Sequence, residues 1–346
     1  MYVSDVLADL LPGSGPVREQ VRSHCVALVD RLPAEIAGPI RPAAEYIGAK
    51  CMGYPPVWLV GRALELAPEE LDGLLGRSHT ALCVSLSTSI ADDFLDREAV
   101  GSPHLMFFYL LLFEALAQQD WGREGLGDFI YGKAVSTMDL FVLPGVRQHL
   151  RAGCDLEALE HMARRSGLRI GNFHRMTAYN LLHALEEAPP LRDELIDLAG
   201  RFGSWCSDFD DVLDVERDIL QGEPAALAAL AVLRLDPGLR PALVERDLAQ
   251  LSRCLESPDF VAFLTGHLVR SARDLAQRAR AITAPRLARD LADLADQLPA
   301  QVAELRRLER LSFAASPAWQ EKARARPAGA PSLAAGMALP RAATAG

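Results

Sequence analysis

The stretch WCSDFDDVLDVERDILQGEP, from Trp205 to Pro224, places five aspartates within eleven residues. Its apolar residues recur at helical spacing, so the stretch is predicted to be a helix. Asp210, Asp214 and Asp218 then follow one another at single-turn spacing, with Asp211 beside them. Like charges at this spacing repel each other by roughly 0.2–0.5 kcal/mol for each pair. Such a helix is stabilised when cations neutralise its carboxylates.

A second acidic cluster occurs earlier, in the segment ADDFLDRE, which contains a DDxxD pattern. Both clusters end an apolar helical segment, ALCVSLSTSIA in one case and ELIDLAGRFGSWC in the other. A single acidic run on a helix is usually a solvated face, but two runs in this setting favour a metal site. Mg²⁺ accepts one or two carboxylates and keeps positions for water and phosphate oxygens. The predicted metal ligands are Asp92, Asp93, Asp96, Asp210, Asp211, Asp214 and Asp218.

Composition and charge exclude several classes of protein. Of the 346 residues, 50% are hydrophobic and 24% are charged, which is enough for a sizeable core. The formal net charge of -10 argues against a nucleic-acid partner, which would require a basic face. The six scattered cysteines, without a CxxC pair, are typical of a reducing cytoplasm. Because no signal peptide and no apolar run long enough to span a bilayer are present, we expect a cytoplasmic protein without a transmembrane segment.

Helical periodicity dominates the chain, and we find no strand alternation and no internal repeat in the sequence. The predicted helices are Val17–Arg31, Arg41–Cys51, Pro56–Leu64, Pro68–Arg97, His104–Gln118, Gly125–Leu143, Asp155–Leu185, Leu191–Leu220, Pro224–Leu233, Arg240–Glu256, Pro258–Thr283 and Ala284–Leu311. Several are long and apolar on more than one face, as expected in the middle of a large bundle. The sequence therefore predicts a single all-α helical bundle over residues 1–313 and an Ala/Pro-rich disordered tail over residues 314–346.

The two acidic motifs resemble those of a known family. The segment FGSWCSDFDDVLDV…GEP is similar to FG…FQ..DD..D….GKP of the polyprenyl (isoprenyl diphosphate) synthetases, which have the class I isoprenoid synthase fold. DDxxD is the other motif of that family. The segment PIRPAAEYIGA resembles the start of its N-terminal helix, and RRSGLRIGNF lies where the family has a Lys-Thr diphosphate contact. The resemblance covers roughly residues 40–233.

The resemblance implies a bundle around a deep, central apolar cavity. It further implies three Mg²⁺ ions that bridge the two aspartate-rich motifs and an allylic prenyl diphosphate, which would be the small-molecule substrate. In this chemistry, metals and basic residues stabilise the leaving diphosphate as negative charge develops on it. An allylic carbocation remains in a dry pocket, where aromatic faces stabilise it. Relatives often form dimers, so a homodimer is one candidate assembly.

Basic residues that could hold the diphosphate are found in several segments. Arg164 and Arg165 also lie at the approximate distance where terpene synthases place a diphosphate-sensing arginine. Arg217 is either a diphosphate contact or the partner of Asp214, three residues earlier on the helix. Arg307 and Arg310 either cap the site or belong to a solvated helix. The predicted diphosphate-binding residues are Arg41, Arg164, Arg165, Arg217 and Arg310.

The length of the substrate is suggested by residues that precede DDxxD. In the synthetases, bulky residues four and five positions before the motif close the pocket. Here Thr88 and Ser87 occupy those positions, with Val84 one turn lower, so a C15 or C20 substrate is expected. Other large residues could line or block the cavity, although ordinary core packing is an alternative for each. The predicted cavity residues are Val84, Ser87, Thr88, Phe107, Phe108, Phe173, Met176 and Phe209.

The chain departs from the family where a second, homoallylic diphosphate would bind. Gly38 and Pro39 replace the Lys and Arg of a GKRxRP motif, which leaves Arg41, and Gly101-Ser102 replaces an Arg-Arg pair. Because phosphate recognition depends on Arg and Lys, this favours a class I terpene synthase that uses one diphosphate. A prenyl diphosphate synthase, or a prenyltransferase with another acceptor, is the alternative. A non-catalytic partner subunit is a third hypothesis, which the retention of both aspartate-rich motifs disfavours.

Overall fold

The computed structural model describes residues 3–50, 53–78, 105–111, 145–185, 189–221 and 223–314. Every regular element within these ranges is helical and none is a strand, which confirms the predicted all-α class. The predicted boundary at residue 313 stays a prediction. Several predicted site residues lie outside the described ranges, as do the tail from residue 315 and Gly101-Ser102. These site residues are Val84, Ser87, Thr88, Asp92, Asp93 and Asp96.

Within each described range, short connections join the helices. They are α1 (Val3–Leu10), α2 (Ser14–Asp30), α3 (Ala34–Lys50), α4 (Tyr54–Ala63), α5 (Pro68–Arg77), α6 (Val146–Arg151), α7 (Leu156–His183), α8 (Arg192–Leu213), α9 (Val215–Gln221), α10 (Ala226–Leu235), α11 (Arg240–Glu245), α12 (Leu248–Leu255), α13 (Pro258–Ala281) and α14 (Pro285–Ala314). A 3₁₀ turn (Pro237–Leu239) precedes α11, and residues 105–111 form a further helical stretch.

The chain divides into two compact units. The first unit comprises Met1–Ala134, Ile170–Trp205 and Ser271–Ala295. The second unit comprises Val135–Arg169, Cys206–Arg270 and Asp296–Gly346. The long helices α7, α8, α13 and α14 each contribute one segment to each unit.

An aromatic cluster occupies the core of the first unit. Phe202 stacks on Trp205 one turn later in α8, with 5.8 Å between ring centroids. The Trp58 ring lies 5.7 Å from Phe202, and its indole N–H donates a 3.0 Å hydrogen bond to the Pro12 carbonyl. All three rings are buried, so they contribute much of the apolar area that stabilises this unit.

Three glycines let α7 and α8 approach closely within the first unit. A Cβ atom added to Gly171 would lie 2.6 Å from the carbonyl oxygen of Gly200. One added to Gly203 would lie 2.6–2.9 Å from atoms of the buried His174 side chain. These distances are shorter than van der Waals contact, so small residues are required along this line of contact. These contacts fix the part of α8 that precedes the aspartate run, by which we mean the five aspartates within residues 208–218.

Two of the predicted helices begin or break at other positions. The sequence predicts a helix start at Arg41, but α3 begins at Ala34 and contains both Pro39 and Pro42. The predicted helix Arg240–Glu256 is broken because Arg246 adopts a left-handed conformation, with φ 62°, and ends α11. Its N–H donates to carbonyls of the preceding turn, as in a helix C-cap.

The predicted helix Leu191–Leu220 is also divided. It ends at Leu213 as α8 and resumes at Val215 as α9, with a bend at Asp214. The short helices α1 and α6 were not predicted, because eight and six residues are too few for a clear apolar period.

The close contact between α7 and α8 can be tested by adding one methyl group. We expect Gly203→Ala to lower the free energy of unfolding by about 1–3 kcal/mol, because the new Cβ overlaps His174. Gly76→Ala is the matched control, since an added Cβ at this exposed position of α5 has no neighbour within 4 Å. The control should be neutral or stabilising by up to about 1 kcal/mol. Equal effects of both changes in urea unfolding would contradict the close approach.

A pH prediction concerns Asp197, whose carboxylate accepts hydrogen bonds from Arg201 at 2.7 Å and from Arg175 at 3.1 Å. Burial alone would raise the pKa of Asp197, but the two arginines outweigh it and lower the pKa. The ionised form therefore adds stability that is present above the unfolded pKa of about 3.9 and is lost as the pH falls through the folded value. We expect Asp197→Asn to destabilise the protein at pH 7, with a deficit that shrinks in acid. Asp193→Asn, at a largely exposed side chain, is the control and should change the stability at pH 7 by no more than about 0.5 kcal/mol.

Candidate functional site

The aspartate run spans the bend between α8 and α9. The Asp214 N–H donates to the Asp210 carbonyl at 3.0 Å, and the Asp218 N–H donates to the Asp214 carbonyl at 2.9 Å. The predicted single-turn spacing of these three residues is therefore retained across the bend. Asp210 is exposed, whereas Asp211, Asp214 and Asp218 are half-buried. The carboxylates thus stand at the edge of an apolar core, into which the Phe209 side chain packs.

Arg217 supplies positive charge within the run. Its Nη1 donates to Asp214 Oδ2 at 2.6 Å, and its Nη2 donates to Glu309 of α14. Burial alone would lower the pKa of Arg217. The carboxylates of Asp214, Glu309 and Asp210 outweigh burial, so the pKa is raised and the guanidinium stays charged. Of the two roles predicted for Arg217, the geometry favours that of a partner for Asp214.

Arg306 of α14 contacts both sides of the bend, and the sequence reasoning missed it. Its side chain is only 3% exposed, and the guanidinium lies 5.3 Å from the centroid of the buried Phe260 ring. Nη1 donates to the Val212 carbonyl at 2.6 Å, and Nη2 donates to Glu216 Oε1 at 3.0 Å. One guanidinium therefore contacts the last turn of α8 and the first turn of α9. The available signal was an arginine on the apolar face of α14, one turn after Val302.

Arg310 lies one turn beyond Arg306 and also contacts Glu216, with 3.4 Å between Nε and Oε1. It donates to Glu256 as well. Arg307, by contrast, is exposed and pairs with Glu304 on its own helix. Arg310 therefore contacts a residue of α9, whereas Arg307 faces solvent. The diphosphate-binding role of Arg310 stays a prediction.

Two of the remaining predicted cations contact carboxylates outside residues 208–218. Arg164 is exposed and lies 3.9 Å from Glu160 on α7, and Arg165 is half-buried on the same helix. Arg41 belongs to the first unit, where its guanidinium donates to Asp30. The diphosphate-binding role of these arginines stays a prediction.

Asp208, for which the family offers no counterpart, is paired with a histidine. Its Oδ2 lies 2.8 Å from Nε2 of His267 on α13. Near the run, burial raises the pKa of the Cys206 thiol, and the Asp210 and Asp208 carboxylates add to this effect. Cys206 is therefore a neutral packing residue rather than a nucleophile.

The predicted cavity residues that the structure describes are apolar side chains in packed surroundings. Phe107, Met176 and Phe209 are buried, and Phe108 and Phe173 are half-buried. A cavity of about 390 Å³ in the first unit has a different lining, with Asp193, Glu194, Asp197, Leu198, Arg278, Ala281 and Ile282. That cavity lies at the start of α8, and none of the predicted cavity residues lines it. The role of the predicted residues as a cavity lining stays a prediction.

The aspartate run offers carboxylate oxygens, which are suitable ligands for Mg²⁺. Among the described ranges of the chain, no three His, Cys, Asp or Glu side chains are grouped closely enough to hold a metal ion by themselves. Mg²⁺ needs only one or two protein carboxylates and takes its other ligands from water and phosphate oxygens. Asp210, Asp211, Asp214 and Asp218 present carboxylate oxygens of this kind, and the DDxxD aspartates lie outside the described residues.

Comparisons with known proteins show a similarity in structure but none in sequence. Neither a protein-family model nor a curated protein matches the sequence. The structure is similar to the crystal structure of geranylgeranyl pyrophosphate synthase from Lactobacillus brevis ATCC 367, with a TM-score of 0.54 and 15% sequence identity. The similarity covers 84% of this chain and 98% of that chain.

At this level of identity the similarity shows a shared fold. The predicted resemblance to the polyprenyl synthetases is thereby confirmed at the level of the fold. None of the described helices is long and apolar enough to cross a membrane.

The contact between Arg217 and Glu309 yields a stability prediction. We expect Glu309→Gln to lower the free energy of unfolding by about 2 kcal/mol, because a partly buried arginine loses one of its two charged partners. Glu304→Gln is the matched control, since it alters an exposed pair on the same helix and should leave stability unchanged. Urea unfolding at pH 7 measures both. A control as destabilised as Glu309→Gln would show that the effect is a general loss of charge on α14.

Proposed function

We propose that the protein is a Mg²⁺-dependent enzyme that ionises an allylic prenyl diphosphate of C15 or C20 length. The observation that carries this proposal is the aspartate run at a helix bend, within a chain that has the fold of a geranylgeranyl pyrophosphate synthase. The resulting cation has two alternative fates. In a terpene synthase it cyclises or is quenched by water or proton loss, and in a prenyltransferase it is transferred to an acceptor. A homodimer in the cytoplasm is part of the proposal.

The chain's own residues have distinct roles in the proposed reaction. Asp210, Asp211, Asp214 and Asp218, together with the DDxxD aspartates, would hold the metal ions. Mg²⁺, when bound, neutralises the charge that develops on the leaving diphosphate. Basic residues such as Arg310, Arg164 and Arg165 would bind the diphosphate oxygens. Aromatic and apolar side chains would exclude water from the prenyl chain and stabilise the allylic cation.

The loss of basic residues that would hold a second diphosphate supports a terpene synthase. Of the GKRxRP motif, Arg41 is retained, and its guanidinium is already paired with Asp30. The position of the motif's lysine is taken by Gly38, which offers no side chain. An acceptor with a diphosphate group would thus meet a neutralised arginine. This favours a reaction with one diphosphate substrate and an intramolecular alkene as the nucleophile.

A prenyltransferase is the second candidate, and the structural similarity supports it. The similar protein is named as a geranylgeranyl pyrophosphate synthase, an enzyme that makes a prenyl diphosphate. The altered basic positions disfavour a charged acceptor, but they place no restriction on an uncharged one. Both candidates share the ionisation step and the same carboxylates.

One assay separates these candidates. Purified protein is incubated with Mg²⁺ and geranyl, farnesyl or geranylgeranyl diphosphate, with and without isopentenyl diphosphate, and the extracts are analysed by GC–MS. A hydrocarbon or alcohol formed without isopentenyl diphosphate is the result expected for the terpene synthase. A longer diphosphate formed only in its presence would establish the prenyltransferase instead. If no diphosphate is consumed under any condition, a non-catalytic subunit is the better explanation.

A single substitution tests the role of the run. We expect Asp211→Asn to lower the rate of diphosphate release at least about 100-fold, because a metal ligand loses its charge. Asp93→Ala should have a comparable effect, with little loss of fold. Asp259→Asn is the control, since this exposed aspartate starts α13 and should leave the rate unchanged. Undiminished turnover by both variants, measured as released diphosphate, would rule out the proposed metal ligands.

A further inference from the structure

We infer that Arg306 is a positioning residue for the metal-binding aspartates, because it holds α8 and α9 together across the bend at Asp214. This inference rests on the proposed function of the aspartate run. Val212 lies in the last turn of α8, where carbonyl groups have no intrahelical donor. The Arg306 Nη1 supplies that donor at 2.6 Å.

The other arm of the same guanidinium contacts the next helix. Nη2 donates to Glu216 Oε1 at 3.0 Å, and Glu216 is the second residue of α9. A guanidinium is planar, so its two arms fix the directions of both acceptors at once. The two contacts therefore restrict rotation of α9 relative to the end of α8.

The surroundings of Arg306 keep this geometry rigid. The side chain is 3% exposed, and its guanidinium lies over the buried Phe260 ring at 5.3 Å. Glu216 is also buried and receives a second contact from Arg310. Because both side chains are largely shielded from water, each depends on the other for its hydrogen bonds. The guanidinium and the carboxylate are therefore restricted to this geometry.

The bend separates the carboxylates that this contact would align. Asp210 and Asp211 lie on α8 before it, Asp214 lies at it, and Asp218 lies on α9 after it. A rotation of α9 would change the distances between the first two carboxylates and the last. Metal ligation tolerates such changes poorly, which is why the residues that orient metal ligands affect affinity strongly.

Neighbouring arginines are less suited to this role. Arg217 contacts Asp214 directly, so its removal would alter a proposed ligand rather than the bend. Arg310 is 36% exposed and divides its contacts between Glu216 and Glu256, and neither is a contact to α8. Arg306 alone among these three donates to groups on both sides of the bend.

The test uses the full-length protein, two variants and a control. Arg306→Lys keeps the charge but removes the planar fork. Arg306→Met/Glu216→Met removes the whole pair, so that no unpaired charge is left buried and the fold is retained. Arg307→Lys is the matched control, because Arg307 pairs only with its own helix among the contacts described above. Thermal unfolding confirms that each protein is folded.

Two measurements are made on each protein. Hydrogen exchange without metal reports the amides of residues 206–221, and we expect exchange at least about tenfold faster in both Arg306 variants. Mn²⁺ binding in the presence of inorganic diphosphate, followed by electron paramagnetic resonance, should weaken by roughly 10–100-fold. Arg307→Lys should match the wild type in both measurements.

The outcomes separate the two proposals. Folded Arg306 variants that bind Mn²⁺ as tightly as the wild type would overturn the inference and leave the proposed function intact. A wild type that binds no Mn²⁺ would overturn the proposed function and, with it, the role of Arg306 toward metal. In that case the exchange data would still show whether Arg306 holds the bend.

Discussion

The excess of negative charge in residues 208–218 constrains how the helices of the second unit pack around that segment. Six acidic residues and one arginine occur within it, so most of the neutralising charge must come from elsewhere in the chain. Arg306 and Arg310 of α14 supply part of it through their contacts with Glu216. The same helix also brings one more carboxylate, Glu309, which shares Arg217 with Asp214. Placement of this helix against the bend is thus an electrostatic requirement as well as a packing one.

The same charges explain why the bend can exist. A helix that ends and restarts loses hydrogen bonds in between, which is costly in a buried setting. Here the Val212 carbonyl gains a guanidinium donor, and the backbone bonds through Asp214 keep the turn spacing of the aspartates. The run is therefore more than a charged helix face. Two short segments present carboxylates from either side of a fixed bend, which a straight helix could not do.

Sequence reasoning predicted the helical class and the turn spacing of the run, because both follow from local periodicity. It did not predict the bend, since the arginine that contacts both sides of it, Arg306, lies 90 positions after its partner Glu216. It also favoured Arg307 over Arg306, and one residue on a helix is a rotation of about 100°. The predicted start of α3 at Arg41 was too late, because the helix begins at Ala34 and includes Pro39 and Pro42. Tertiary contacts, which no local pattern encodes, decide the bend and the position of Arg306.

The two proposed reactions differ in what the acceptor must be, and the charge at Arg41 bears on this choice. A diphosphate acceptor needs cations that are free to bind it, because phosphate oxygens are costly to desolvate without them. Arg41 already donates to Asp30, so such an acceptor would have to displace a carboxylate of the protein. An alkene within the substrate, or an uncharged acceptor, makes no such demand. The charge pattern therefore excludes neither cyclisation nor transfer, but it disfavours the elongation that requires two diphosphates.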